Sequence, residues 1–204
     1  MRRYRIAVFA SGSGTNFQAI VDRVSSGRLD VSIELLVCDR PSAYVVERAK
    51  QAGVSVFAFR PKEYESREVY ERLILRELEA KQVDLVVMAG YMRIITDVLV
   101  EPFYGRMINV HPSLLPAFPG VRAIAQAYAY GVKLTGVTVH FVDGGLDSGP
   151  VIAQRSIEIA EDETEEALEE RVHAVEHELL PRVIDLMSKG QISLEGRRVR
   201  VMES

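Results

Sequence analysis

Cysteine is nearly absent. Cys38 is the sole thiol in 204 residues, so an intrachain disulfide is excluded, as is a zinc site built on clustered cysteines. A chain without disulfides suits a reducing compartment. Long apolar runs are missing as well, and no stretch approaches the roughly 20 residues that a membrane-crossing helix needs. The basic start Met1-Arg2-Arg3-Tyr4-Arg5 leads only into Ile6–Ala10, too short for a secretory signal and without a cleavage site. These absences predict a cytoplasmic protein with no membrane partner. Positive charge is not in excess either. The 25 Lys and Arg against 29 Asp and Glu leave a formal charge of −4, which argues against nucleic acid as a partner. A small phosphorylated substrate needs only a local positive field and stays compatible. With no repeat, low-complexity tract or linker, residues 1–204 read as one domain.

What is present is an ordinary apolar content of 48%, enough for a sizeable core. Ile6–Ser11, Val31–Cys38, Val54–Phe59 and Leu85–Ala89 read as short buried strands. Between them lie helical patterns at Asn16–Ser25, Tyr44–Ala52 and Ser66–Lys81, the last with Val69, Leu73, Leu75 and Leu78 among charges. This alternation predicts an α/β fold with a mostly parallel, twisted central sheet flanked by helices. The second half departs from it. A strand at Met107–Val110 runs into a Pro-rich loop, His111 to Gly120, followed by a short helix at Ala123–Tyr130. An alternating strand at Leu134–Val142 and another at Val151–Ile159 flank a Gly/Asp turn. A long helix from Thr164 to Lys189 contains Pro181, which should kink or divide it. Glu195-Gly196 between two apolar runs predicts a terminal hairpin.

Three motifs could carry chemistry. Ser11-Gly12-Ser13-Gly14-Thr15-Asn16 lies between the first strand and helix, where small residues let backbone amides approach an anion. It is a poor dinucleotide fingerprint, since Phe17 stands where the last glycine belongs, and it lacks the Walker lysine. A tight turn with Thr15 or Asn16 as helix cap is the alternative. Asn109-Val110-His111-Pro112-Ser113-Leu114-Leu115-Pro116 ends a strand. Period two puts Asn109 and His111 on one face, an amide donor beside an imidazole, which suits a developing oxyanion and a proton transfer. A histidine that merely ends a strand is the plainer reading. Asp143-Gly144-Gly145-Leu146-Asp147-Ser148-Gly149-Pro150 reads as a loop whose Asp147 is either a turn former or a carboxylate that holds a histidine in its charged form. His140 reads as structural. His173 and His177 share a helix face with Glu176 between them, but the order is not that of the zinc motif, and no metal is expected.

Taken in order, these motifs resemble the folate-dependent glycinamide ribonucleotide formyltransferases. The resemblance runs through Ala10–Asn16, Ser66-Arg67-Glu68, Met88–Ile94, Asn109–Pro116 and Gly136–Pro150. It implies the formyltransferase fold, with a Rossmann-like, substrate-phosphate half over 1–105. The half over 106–204 would be catalytic and folate-facing. It further implies that Gly14, Thr15 and Asn16 hold the phosphate and ribose of phosphoribosylglycinamide, and that Glu176 meets that same substrate. Arg67, Met92, Arg93, Ile94 and Ile95, with Asn109, would line the folate pocket, and Asn109, His111 and Asp147 would form the catalytic trio. The co-substrate implied is 10-formyltetrahydrofolate, with no metal. The chain departs from some relatives at Ala117, where they carry lysine, at Val121–Ala123, where they carry histidines, and at His173, where another polar residue stands.

Two related enzymes share this core. Methionyl-tRNA formyltransferase adds a basic C-terminal domain, and formyltetrahydrofolate hydrolase adds an N-terminal regulatory domain. The short tail, the start at strand one and the negative charge are expected to separate this chain from both. A non-catalytic nucleotide- or folate-binding module would not need the trio. A homodimer is compatible with the sequence, which does not fix the oligomeric state.

Overall fold

The computed structural model describes residues 2–202. Among the described residues, nine strands and six α-helices follow one another as β1 (Tyr4–Phe9), α1 (Thr15–Ser25), β2 (Val31–Cys38), α2 (Tyr44–Gln51), β3 (Val56–Ala58), α3 (Arg67–Ala80), β4 (Leu85–Met88), α4 (Asp97–Val100), β5 (Met107–His111), α5 (Ala123–Tyr130), β6 (Leu134–Phe141), β7 (Val151–Glu158), α6 (Glu165–Ser188), β8 (Ile192–Glu195) and β9 (Arg198–Val201). The larger sheet is ordered β3-β2-β1-β4-β5-β6-β7, and β8-β9 form a separate hairpin. Two compact units share the chain, one ending at Asn109 and the other beginning at Val110.

The first unit is a Rossmann-like half. Its pairs β1–β2, β1–β4, β2–β3 and β4–β5 are all parallel. Parallel strands are covered on both faces, which is why Leu85–Met88 and the end of β1 are apolar at successive positions. Ile6, Val8, Phe9, Val86 and Val87 are fully buried. Each such side chain contributes about 1.5–3 kcal/mol by leaving water. β1 starts two residues before the apolar run, because Tyr4 and Arg5 pair with Val31 and Ser32.

The order β2-β1-β4 reverses direction at β1, and in open α/β sheets ligands bind where that reversal opens a crevice beyond the strand ends. Two loops leave the sheet there, Ala10–Gly14 after β1 and Ala89–Thr96 after β4. They are stitched together: Ser11 N donates to the Gly90 carbonyl at 3.0 Å, and Met92 N donates to Ser11 Oγ at 2.9 Å.

In the second unit β6 and β7 are antiparallel, and α6 packs on both. β6 was expected to alternate but is buried at every position after Leu134. The Pro-rich loop is anchored to it. Leu115 N donates to Thr138 Oγ1 at 3.1 Å, and Thr138 Oγ1 donates to the Ser113 carbonyl at 2.7 Å. Pro181 does not divide α6, which runs unbroken from Glu165 to Ser188. The proline is buried beside Leu180 and Val183, so packing offsets the hydrogen bond its ring cannot make.

Candidate active site

In the first unit, Gly14 sits in the left-handed region at φ 73° and starts α1. A side chain there would be strained and would also run into Val45, so glycine is required. The loop is braced by α2. Val45 N donates to the Gly12 carbonyl at 3.1 Å, and Arg48 Nε donates to the Ser13 carbonyl at 2.8 Å. Thr15 and Asn16 therefore open α1 on a fixed turn, with the first amides of the helix directed beyond the end of β1.

The second loop carries the residues expected to line a folate pocket. Met92 and Ile94 are 56% and 53% exposed, whereas Ile95 is buried. Exposed apolar side chains next to a sheet crevice mark a surface that can receive an apolar ring. Arg93 Nε donates to Asp39 Oδ2 at 2.8 Å across the ends of β2 and β4. Arg67, at the start of α3, reaches the same segment through a 3.4 Å hydrogen bond from Nη1 to the Ile94 carbonyl. Asn109 lies on β5 opposite Met88, the last residue of β4, so it stands at the root of this loop.

The second unit holds the imidazole and the carboxylate. His111 ends β5 and is 5% exposed. Its Nδ1 lies 3.5 Å from Asp147 Oδ2, and its Nε2 lies 2.8 Å from the Phe118 carbonyl. An acceptor thus faces each ring nitrogen. Asp147 Oδ2 also accepts from Gly120 N at 2.7 Å, and Oδ1 lies 3.8 Å from His140 Nε2. Burial tends to push the Asp147 carboxyl up. The hydrogen bonds from His140 and Gly120, with the field of His111 and His140, outweigh burial and hold it below its ordinary value. It is therefore an anion at neutral pH.

Backbone strain gathers at the same place. Phe118 and Asp147 are non-glycine residues at φ 51° and 48°. Each costs about 1 kcal/mol or more, and such strain persists where the surroundings over-determine it. The Asp147 loop supplies those constraints. Asp143 Oδ1 accepts from Gly145 N at 3.0 Å and from Ser148 Oγ at 2.7 Å. Gly149 packs so closely on the Phe141 carbonyl that no side chain fits.

His140 was read from the sequence as structural, yet it faces the Asp147 carboxylate from β6. A strand histidine among apolar neighbours carries no local signal of this, because its partner lies across a loop. Glu176 is buried on α6 and engages His173, with Nδ1 of the latter 2.9 Å from Oε2. That hydrogen bond, against the effect of burial, raises the His173 pKa. Among the described residues, no group of three or more His, Cys, Asp or Glu is arranged to hold a metal ion. No helix described is long and apolar enough to cross a membrane.

A switch-point crevice with a glycine turn in one unit, and a histidine beside a part-buried carboxylate in the other, suit an α/β enzyme of the group-transfer type. The chain belongs to the formyl transferase family, which residues 4–184 match. It is 51% identical over 180 residues to a phosphoribosylglycinamide formyltransferase from Bacillus subtilis, covering 88% of this chain and 92% of that protein. The structure is similar to a glycinamide ribonucleotide transformylase from Symbiobacterium toebii, with TM-score 0.95, 44% identity, and 98% and 95% of the two chains covered. A second such transformylase, from Geobacillus kaustophilus, superimposes with TM-score 0.89 at 56% identity, covering 91% of this chain and 99% of that one.

Proposed function

We propose that this chain transfers the formyl group of 10-formyltetrahydrofolate to the amine of N1-(5-phosphoribosyl)glycinamide, giving formylglycinamide ribonucleotide and tetrahydrofolate in purine biosynthesis. The observation that supports it most is the pair of buried His111 and Asp147 at 3.5 Å, in a chain whose relatives bear the name of this activity. The neutral amine attacks the formyl carbon, a C–N bond forms and the carbonyl electrons move onto oxygen. Cationic His111 and the Asn109 amide stabilise that oxyanion. His111 donates to it by exchanging the Phe118 carbonyl for the substrate oxygen. Collapse breaks the bond to the folate nitrogen. The proton lost by the attacking amine passes to that nitrogen through a water oriented by Asp147. Holding both substrates in line supplies much of the acceleration.

In this reading Gly14, Thr15 and Asn16 bind the phosphate and ribose, and Glu176 meets the glycinamide substrate. Arg67, Met92, Arg93, Ile94, Ile95 and Asn109 bind the folate. Residues 1–204 act as one functional domain in the cytoplasm, and a homodimer is compatible with the chemistry. Incubation of the pure protein with both substrates tests the reading. The expected product is formylglycinamide ribonucleotide in equal amount to tetrahydrofolate. Release of formate, with the amine left unformylated, would overturn it in favour of hydrolysis.

A further inference from the structure

Glu71 lies outside the chemistry described above, yet it is a carboxylate with 1% of its surface exposed. Removing a carboxylate from water is costly unless hydrogen bonds replace the lost solvation. Here a single residue supplies them. Thr96 N lies 3.1 Å from both Glu71 oxygens, and Thr96 Oγ1 donates to Oε2. An ionised Glu71 can only accept, so the hydroxyl proton points to it, while Thr96 Oγ1 in turn accepts from Val98 N at 3.3 Å. Thr96 is the residue that ends the Met92–Ile95 loop and begins α4. Glu71 also lies one turn after Arg67 on α3, so the two side chains emerge from the same face. Arg67 takes the Ile94 carbonyl while Glu71 takes the Thr96 amide and hydroxyl. One helix thus grips the loop at two points, two residues apart, through a donor and an acceptor.

We propose that Glu71 is a positioning residue for the folate-facing loop, holding Thr96 so that Met92–Ile95 keep the shape that receives the co-substrate. The proposal rests on the folate reading of that loop. Glu71 touches no substrate and acts only through Thr96. Its effect should therefore fall on one co-substrate. Glu71→Gln keeps the length of the side chain but turns one of the two acceptors facing Thr96 into a donor. Thr96→Val removes the hydroxyl, and Thr96→Ser keeps every bond.

The test is steady-state kinetics with 10-formyltetrahydrofolate and phosphoribosylglycinamide varied separately, together with hydrogen exchange of the amides of residues 92–96. Losing a hydrogen bond to a buried charge should raise KM for the folate on the order of ten-fold in Glu71→Gln and Thr96→Val. KM for the glycinamide nucleotide and kcat should hold, exchange at 92–96 should quicken, and Thr96→Ser should behave as wild type. A general loss of packing would instead move both KM values, or kcat, together. That result, or an unchanged folate KM in a folded variant, would overturn the proposal. If Glu71→Gln does not fold, Thr96→Val carries the test. If the wild-type protein does not use folate at all, the function proposed above has failed, and hydrogen exchange still decides this one: unchanged exchange at 92–96 in the variants refutes it.

Discussion

Asp147→Asn removes one negative charge from the centre of the site with little disturbance elsewhere. The residue sits at φ 48°, a left-handed conformation that asparagine tolerates as well as aspartate does, so the backbone has no reason to move. The asparagine oxygen can still accept from Gly120 N. What it loses is the attraction to the cationic His111 of the proposed mechanism. Opposite unit charges 3.5 Å apart attract by about 5 kcal/mol at an effective dielectric of about 20. The amide keeps a dipole, and 11% of the Asp147 side chain still meets water. These discounts leave a loss of roughly 2–3 kcal/mol in the transition state, which is about 10²-fold in turnover. The assay is kcat for formyl transfer with both substrates saturating, alongside a urea melt to confirm folding. The pH dependence follows from the carboxyl lying below its ordinary 3.8. A depressed value means that the anion's contribution is present above 3.8 and is lost only as pH falls through the lowered value. The wild-type rate should therefore show no loss from protonation of Asp147 between neutrality and about pH 5. A variant within about three-fold of wild-type turnover would refute the reasoning, because no plausible dielectric makes so close a charge that weak.

Other expectations concern Gly14 and Glu176. Gly14→Ala forces a side chain into a left-handed residue and against Val45, so a urea melt should show a loss of roughly 1–3 kcal/mol, with KM for the glycinamide nucleotide raised. Glu176→Gln takes the carboxylate partner from His173. Because the His173 pKa is raised above 6.5, the pair's contribution is fully present below 6.5 and fades as pH rises through the raised value. Thermal melts should separate the variant from wild type in mild acid and bring the two together by about pH 9.

Much of the fold was legible in the residues, and the reason is local. β2 and α5 fall on the ranges their patterns mark, Val31–Cys38 and Ala123–Tyr130, because apolar spacing and flanking turn residues decide them. What was not legible depends on partners far along the chain. α4 is only four residues long, and its start is held by Glu71, 25 positions away. Pro181 stays inside α6 because its neighbours are buried, a tertiary effect that overrides propensity. In the site, period two correctly placed Asn109 and His111 on one strand face, and the glycine turn announced itself. The approach of Asp147 to His111 rested on family resemblance until distances were known. His140 reads as structural from its strand, and its place opposite the Asp147 carboxylate had no local signal, since nothing beside it in the sequence distinguishes a strand histidine from one that faces a carboxylate across a loop.

A double-substitution cycle on turnover addresses the central claim, that His111 and Asp147 act as one unit on the formyl oxygen. His111→Ala alone should lower kcat on the order of 10²- to 10³-fold. Adding Asp147→Asn to it should cost less than Asp147→Asn costs in the wild type, since the carboxylate then has no imidazolium to support and keeps only its hold on the water. If the two losses multiply instead, the residues act independently and the account is contradicted.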